Sequence, residues 1–455
     1  MKRRLQSLVA AALSLTMCGQ AFALGSASYS SELISTRSLG QGGTGVAGTQ
    51  DDPVVGYTNP AGLTLMKGTQ ISAGLSYANA HPSFKSAVNS SGFGTSVYSK
   101  SSAGQVSGGR ATSVLVPSFG ATIRSEDGRW AAGMAVVSPY GLETHFSGDS
   151  PVRYQSTDSR LRIVDVTPTV AYKVCSGFSV GVGYDYYNAA EGQLDKAVNV
   201  NALNASLSGA GGPDGFSRLN GTGDGSGYHV GVTLRPNEHH QIGLVYHSSV
   251  RIGLRGDYEV SGLSGNSAAV FGGSSFRTDA TAPLFIPQNV SLGYSYMPNK
   301  NWMLEADAAW YDWYAARELS VVFENVTATQ NKVLQAGNPT VFHPRKTLNF
   351  GFGANYKRGD KLQLRGGAYY QGAALPESAF DAAFIDLPRY AVTVGASYAL
   401  TPSLGMDLAY NAVFFHGRAI NAPGAANSGS GYSGTFNSFA NIVSASLTYR
   451  TAASL

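Results

Sequence analysis

Polar and apolar residues alternate with a period of two along much of this chain. Phe178, Val180, Val182, Tyr184 and Tyr186 share one face of an extended segment, and Ser179, Gly181, Gly183 and Asp185 share the other. The same division sets Ile71, Ala73, Leu75 and Tyr77 against Ser72, Gly74 and Ser76, and Trp302, Leu304, Ala306, Ala308 and Trp310 against Met303, Glu305, Asp307 and Ala309. It recurs at Val392, Val394, Ala396 and Tyr398, at Leu404, Met406, Leu408 and Tyr410, and at Val443, Ala445, Leu447 and Tyr449. Fourteen such segments are predicted: 69–79, 111–124, 129–138, 160–174, 177–188, 226–235, 239–259, 284–297, 301–325, 346–357, 361–371, 388–399, 403–414 and 441–450. Two of them are long enough to rise beyond a bilayer or to hold two strands each.

In a soluble sandwich the apolar face turns inward and the polar face meets water. Here the polar face is mostly Gly, Ser and Asn, while the apolar face often ends in Tyr or Trp, as a lipid-facing strand does at headgroup level. The connections alternate in length. Ser125–Gly128, Ser176, Pro236–Glu238, Pro298–Lys300, Arg358–Asp360 and Thr401-Pro402 are tight; the others, 80–110, 139–159, 189–225, 260–283, 326–345, 372–387 and 415–440, are long. Short turns on one side and long loops on the other, with an even strand number, predict an all-β fold: a transmembrane antiparallel up-and-down β-barrel of about 14 strands with both termini on the short-turn side. Closure leaves no unpaired strand edge in lipid. The competing reading is a large secreted β-sandwich or solenoid.

Composition agrees with a membrane wall. The 455 residues include 56 Gly, 25 Tyr and 20 Phe but only 13% charged residues, against about 7% Gly and about 25% charge in ordinary globular proteins. Two cysteines exclude a disulfide scaffold. Lys2, Arg3 and Arg4, the apolar stretch Leu8–Leu15 and the small-residue site Ala21-Phe22-Ala23 read as a secretory signal over residues 1–23. Without those three bases the charge balance is 29 basic to 28 acidic, so no basic face for nucleic acid remains. Cys18 follows the bulky Met17, which does not suit a lipidation site. Beyond the signal no run of eighteen apolar residues exists.

Residues 24–68 precede the first strand and the barrel occupies 69–455. The preceding segment is rich in Gly (Gly40, Gly42, Gly43, Gly45, Gly48) and poor in large apolar side chains, so it forms no core alone. A plug lodged in the lumen is the expected arrangement, a disordered periplasmic tail the alternative.

At Asp51-Asp52-Pro53 and Asn59-Pro60-Ala61-Gly62, followed by Ile71-Ser72-Ala73-Gly74, the sequence resembles the FadL family of outer-membrane transporters for long-chain fatty acids and other hydrophobic compounds. Ser138 through Phe146, Phe178 through Gly183, and Leu387-Pro388-Arg389-Tyr390 extend the resemblance, which runs from about Leu39 to Tyr449 and is weakest in the long loops. It implies a fourteen-stranded barrel with an N-terminal luminal hatch in the outer membrane of a Gram-negative bacterium. It further implies a route from an apolar groove among outer loops to a site above the hatch, then sideways through a gap at a kink in the third strand.

Three local features can be set beside that route. Asn59, Pro60 and Ala61 match the hatch motif; Asn and Pro also fix an ordinary turn. Ser138, Pro139, Tyr140 and Gly141 fall where the third strand would continue, and Pro and Gly disfavour regular pairing there, which either opens the wall or ends the strand. Arg345 and Lys346, near where the resemblance implies a carboxylate-binding lysine, and Arg365 are candidate bases for a substrate carboxylate; each can instead balance Glu305, Asp307 or Asp407 across the lumen. The sequence departs from the family at Ser26, where an aromatic residue is implied, and at Ala190-Glu191, where an inward arginine is. Some branches of the family admit neutral aromatic hydrocarbons, which need no base. The chain also runs past Tyr449 to Leu455 rather than ending on an aromatic residue.

Catalytic patterns are lacking. No nucleophile–base spacing stands out among eight His and many Ser, and Gly40–Gly48 has no Lys-Ser or helix after it to make a phosphate loop. His239 and His240 are adjacent on a strand and point to opposite faces, so no shared metal is expected there. The sequence therefore predicts no enzyme, cofactor or metal, and a monomer whose partners are a hydrophobic small molecule, outer-membrane lipid and the barrel assembly machinery. An adhesin or a barrel hydrolase are the readings from other classes.

Overall fold

The computed structural model describes residues 33–47, 52–86, 106–108, 112–208, 212–422 and 432–451. The expected signal, Cys18, Ser26 and Leu455 lie outside the described residues. Fourteen antiparallel strands form a closed wall. They are β1 (Gln70–Ala80), β2 (Thr112–Arg124), β3 (Trp130–Val137, resumed at Gly141–His145), β4 (Asp158–Cys175), β5 (Phe178–Val198), β6 (Gly215–Leu234) and β7 (His240–His247 and Val250–Ser261). There follow β8 (Ser275–Ile286 and Gln288–Asn299), β9 (Trp302–Asp312, with Val322–Phe323 beyond it), β10 (Thr347–Arg358), β11 (Leu362–Gln371), β12 (Arg389–Ala399), β13 (Leu404–Phe415) and β14 (Phe439–Arg450). Each pairs with the next, and β14 returns to β1 over the full register Gln70↔Arg450 to Ala80↔Ala440, which closes the barrel.

The predicted strand count holds, and the boundaries shift on the long-loop side. Stretches expected as loop, 189–225 and 260–283, are in part strand: β5 reaches Val198, β6 begins at Gly215 and β8 at Ser275. The segment expected at 301–325 stops at Asp312 and turns through a short helix, Trp313–Ala316. A separate four-stranded sheet of Ser83–Ser86, Val106–Gly108, Arg418–Ala422 and Tyr432–Asn437 lies beyond β1, β2, β13 and β14.

The burial pattern is inverted relative to a water-soluble protein. On β12 the side chains of Tyr390, Val392, Val394 and Tyr398 are exposed, and Arg389 and Thr393 are buried. Eight residues separate the two tyrosines, about 27 Å along a strand. Barrel tilt reduces this to roughly 20 Å, close to the height of an apolar band between its two aromatic girdles. At the short-turn end the girdle includes Trp130 packed on Tyr172, with ring centroids 4.6 Å apart, and Trp302 on Tyr356 at 4.7 Å. The exposed apolar side chains meet lipid. The ladder meanwhile satisfies backbone groups that lipid cannot.

Candidate functional site

Residues 33–66 fold as short pieces, α1 (Thr36–Leu39), α2 (Val55–Thr58) and a 3-10 turn (Pro60–Leu65), and lie against inward-facing positions around the wall. Pro53 reaches Gly120 on β2, Leu63 reaches Gly133 on β3, Pro60 reaches Gly181 on β5, Val46 reaches Gly243 on β7, and Gly40 reaches Gly395 on β12. These contacts need wall positions without side chains. A Cβ at Gly181 would lie 2.5 Å from the Pro60 carbonyl carbon, and one at Gly231 the same distance from Asn59 Oδ1. Part of the glycine excess is thus the room the wall leaves for this segment.

Polar inward side chains hold it. Arg37 Nε is 3.0 Å from Asp407 Oδ1, Gln41 Nε2 donates to Glu305 at 3.1 Å, and the Gly45 and Val46 amides donate to Asp307 at 2.9 and 3.0 Å. Asn59 sits at the junction of α2 and the 3-10 turn. Its Oδ1 caps the Ala61 amide at 3.1 Å, while its Nδ2 donates to the Val46 carbonyl at 2.8 Å and to Thr233 Oγ1 of β6 at 3.2 Å. This one side chain therefore joins both halves of the segment to the wall.

β3 is interrupted at Ser138-Pro139-Tyr140, and its ladder with β2 spans only Phe119–Arg124 against Ala131–Val136. Beyond it β2 continues from Ser118 to Thr112 paired to β1 alone, while β3 resumes at Gly141 paired to β4 alone. Tyr140 and Leu142 are buried beside this break. The sequence placed the interruption correctly.

Above the segment the inner face changes character. On β4 and β5 the inward positions Thr167, Thr169, Ser179 and Asp185 give way to Leu161, Ile163, Tyr187 and Ala189, which pack with Tyr140, Leu142, Val250, Ile252 and Trp313. Cavities of about 290, 80, 90 and 50 Å³ lie among the outer strand ends and loops, and Leu319 lines all four. Leu194, Leu219, Leu284, Phe342 and Phe384 supply much of their walls. One cation, Lys196, lines the two cavities of about 290 and 80 Å³. It stands eighteen residues above the start of β5, past the bilayer, and its electrostatic partner is Asp381. Burial pushes the Lys196 ammonium below its ordinary range and the Asp381 carboxyl above its own, each partly offset by the other. At the rim, Tyr154 donates to Asp214 at 2.8 Å, and burial raises its pKa to about 12, so it remains a donor.

The sequence-predicted bases do not converge here. Arg345 and Lys346 are exposed, and the Lys346 ammonium lies over the Trp310 ring at 5.2 Å. Arg365 is buried against Asp407 at 3.5 Å and Ser397 at 2.6 Å, and it borders a cavity of about 910 Å³ at the short-turn end with Arg37 and Lys357. It is thus below the N-terminal segment and takes the charge-balancing alternative. Glu305 and Asp307 receive the N-terminal segment rather than those bases. Lys196 was missed because its stretch read as loop.

A family model described as outer membrane protein transport protein (OMPP1/FadL/TodX) matches residues 15–451. The chain belongs to this family. Its members are transporters and channels, and the present member is an outer-membrane channel for hydrophobic compounds. A relative, the long-chain fatty acid transport protein of Escherichia coli strain CFT073, is 23% identical across 87% of this chain and 88% of its own. The solved Pseudomonas aeruginosa FadL homologue superimposes with a TM-score of 0.80 at 21% identity, covering 93% of this chain and 99% of that one. The Ralstonia pickettii toluene transporter TbuX gives 0.65 at 20% identity, covering 92% and 99%. Both share the fold of this FadL-family barrel.

Proposed function

We propose that this FadL-family channel takes up long-chain fatty acids. The observation that carries the reading is Lys196, a buried cation that lines the outer cavities of about 290 and 80 Å³ beside Leu194, Leu219, Phe342 and Phe384 and its partner Asp381. An alkyl chain is held by burial at about 25 cal/mol per Å² of apolar area, and a carboxylate on its end supplies the ammonium with a charge-assisted partner. Residues 24–68 act as the hatch, with Asn59, Pro60 and Ala61 as its latch to the wall, and the ligand leaves sideways at Ser138-Pro139-Tyr140-Gly141 into lipid. Lateral exit spares an oily solute a water-filled pore.

The second reading, uptake of aromatic hydrocarbons, is favoured by the shared fold with TbuX. Lys196 separates the two. In detergent-purified protein, Lys196→Met is expected to weaken oleate binding about 10- to 100-fold, the loss of one charged hydrogen bond worth about 1.5–3 kcal/mol, and to leave toluene binding unchanged. Equal oleate binding by the variant would remove the fatty-acid reading; toluene binding without any oleate binding would replace it with the second.

A further inference from the structure

A buried cluster stands apart from the ligand crevice, on the inner face of three neighbouring strands. Asp185 of β5, His229 of β6 and His247 of β7 place their side-chain ligand atoms within 4.8 Å of one another, and all three residues are buried. His229 Nδ1 is 2.7 Å from Asp185 Oδ1, and His247 Nδ1 is 3.8 Å from Asp185 Oδ2. The two imidazoles stack, with centroids 4.8 Å apart and planes 17° apart. The other nitrogen of His229, Nε2, is 2.8 Å from the Gly56 carbonyl of α2.

That last contact fixes the proton. A carbonyl oxygen only accepts, so Nε2 of His229 carries a hydrogen, and the neutral ring then aims the Nδ1 lone pair at a carboxylate oxygen. Two lone pairs at this distance repel unless a proton between them, or a metal ion bonded to both from the side, offsets them. A second proton on His229 would serve that contact but leaves the rest unexplained. His247 Nδ1, aimed at the same carboxylate, has no hydrogen-bond partner. Asp165, buried on β4 and close enough to interact with Asp185, has the Tyr187 hydroxyl and the Tyr186 amide beside it, neither in good hydrogen-bond geometry with its carboxylate oxygens. Two buried carboxyl groups facing two imidazoles make a compact donor set whose negative charge a divalent ion can offset at once.

We infer that Asp185, His229 and His247 form a binding site for a divalent transition-metal ion of the zinc class. Two imidazoles and a carboxylate are a borderline-soft donor set suited to zinc, nickel or copper, and three protein ligands leave a fourth position on the side of Asp165. Tetrahedral bonds of about 2.0–2.2 Å separate ligand atoms by roughly 3.3 Å. The 2.7 Å contact would widen slightly and the 3.8 Å contact close. The Nε2–H donated to Gly56 is the outer hydrogen bond that orients a metal-bound histidine. Because its acceptor is in α2, and the Tyr57 ring lies 4.9 Å from that of His247, the ion would brace the N-terminal segment against β5, β6 and β7. Sequence spacing hides the site, since its ligands come from three strands and the adjacent pair His239-His240 draws the eye instead.

The test is Co²⁺ titration of the full chain, purified in detergent and stripped with chelator, followed by visible absorption and by competition with Zn²⁺. One Co²⁺ per chain with tetrahedral absorption bands, displaced by Zn²⁺, is expected. His247→Gln should weaken binding about 100-fold and Asp165→Asn about 10-fold, with the heat-dependent gel shift of a folded barrel retained as the control. A His239→Gln/His240→Gln double variant should bind as the wild type does. Absence of saturable Co²⁺ binding by the wild-type chain overturns the inference, as does binding that survives His247→Gln in folded protein or that depends on His239 and His240.

Discussion

Individual side chains carry two separable jobs in this barrel. Asn59 is an anchor: one amide caps the turn that follows it and ties both Val46 of the segment and β6 to a single point. Removing a cap of this kind costs about 0.5–2 kcal/mol, far less than a fourteen-stranded wall is worth. Asn59→Ala is therefore expected to fold and insert normally, judged by its heat-dependent gel shift, and to slow oleate uptake several-fold. Unaltered uptake would reduce Asn59 to a turn-former. Lys196, which lines the outer cavities, is proposed as the discriminator among hydrophobic ligands. The first role was legible in the sequence because Asn-Pro-Ala is a local motif. The second was not, because β5 outruns its alternating pattern after Tyr186 and the position of Lys196 depends on cavity walls from β6, β7 and two distant loops.

At the scale of elements, period two was enough to give fourteen strands and the side each face looks toward, because lipid on one side and a packed polar interior on the other keep the alternation clean. It failed where that contrast ends. Beyond the bilayer, β5 and β6 continue through Gly192, Gly221, Gly223 and Gly225, residues that read as loop when only local propensity is available. Arg345 and Lys346 show the same limit: an expected strand start gives no indication of which way the chain faces before the ladder begins. The break in β3 was readable since Pro139 and Gly141 mark it directly. If the break is the exit, restoring a continuous strand should separate binding from transport. Pro139→Val combined with Gly141→Val is expected to leave oleate binding to purified protein unchanged while cutting cellular uptake roughly tenfold. Loss of both together would point to a damaged binding site, and loss of neither would exclude lateral exit here.

The molecule as a whole is inverted relative to a water-soluble protein. The outer face is apolar where lipid touches it, and the inner face is polar where it grips residues 33–66 and apolar above them. Such a barrel is expected to conduct little while the N-terminal segment remains in place. Deleting residues 33–66 is expected to raise single-channel ion conductance in planar bilayers at least several-fold over the intact chain; equal conductance would mean that the segment does not occlude the lumen. The same view gives the most direct test of function. Cells lacking their own fatty-acid transporter and carrying this chain are given labelled oleate and labelled toluene in parallel, and initial uptake rates are compared with vector alone. The proposed function predicts a several-fold rise for oleate that Lys196→Met abolishes. Uptake of toluene without oleate, or of neither, would contradict it.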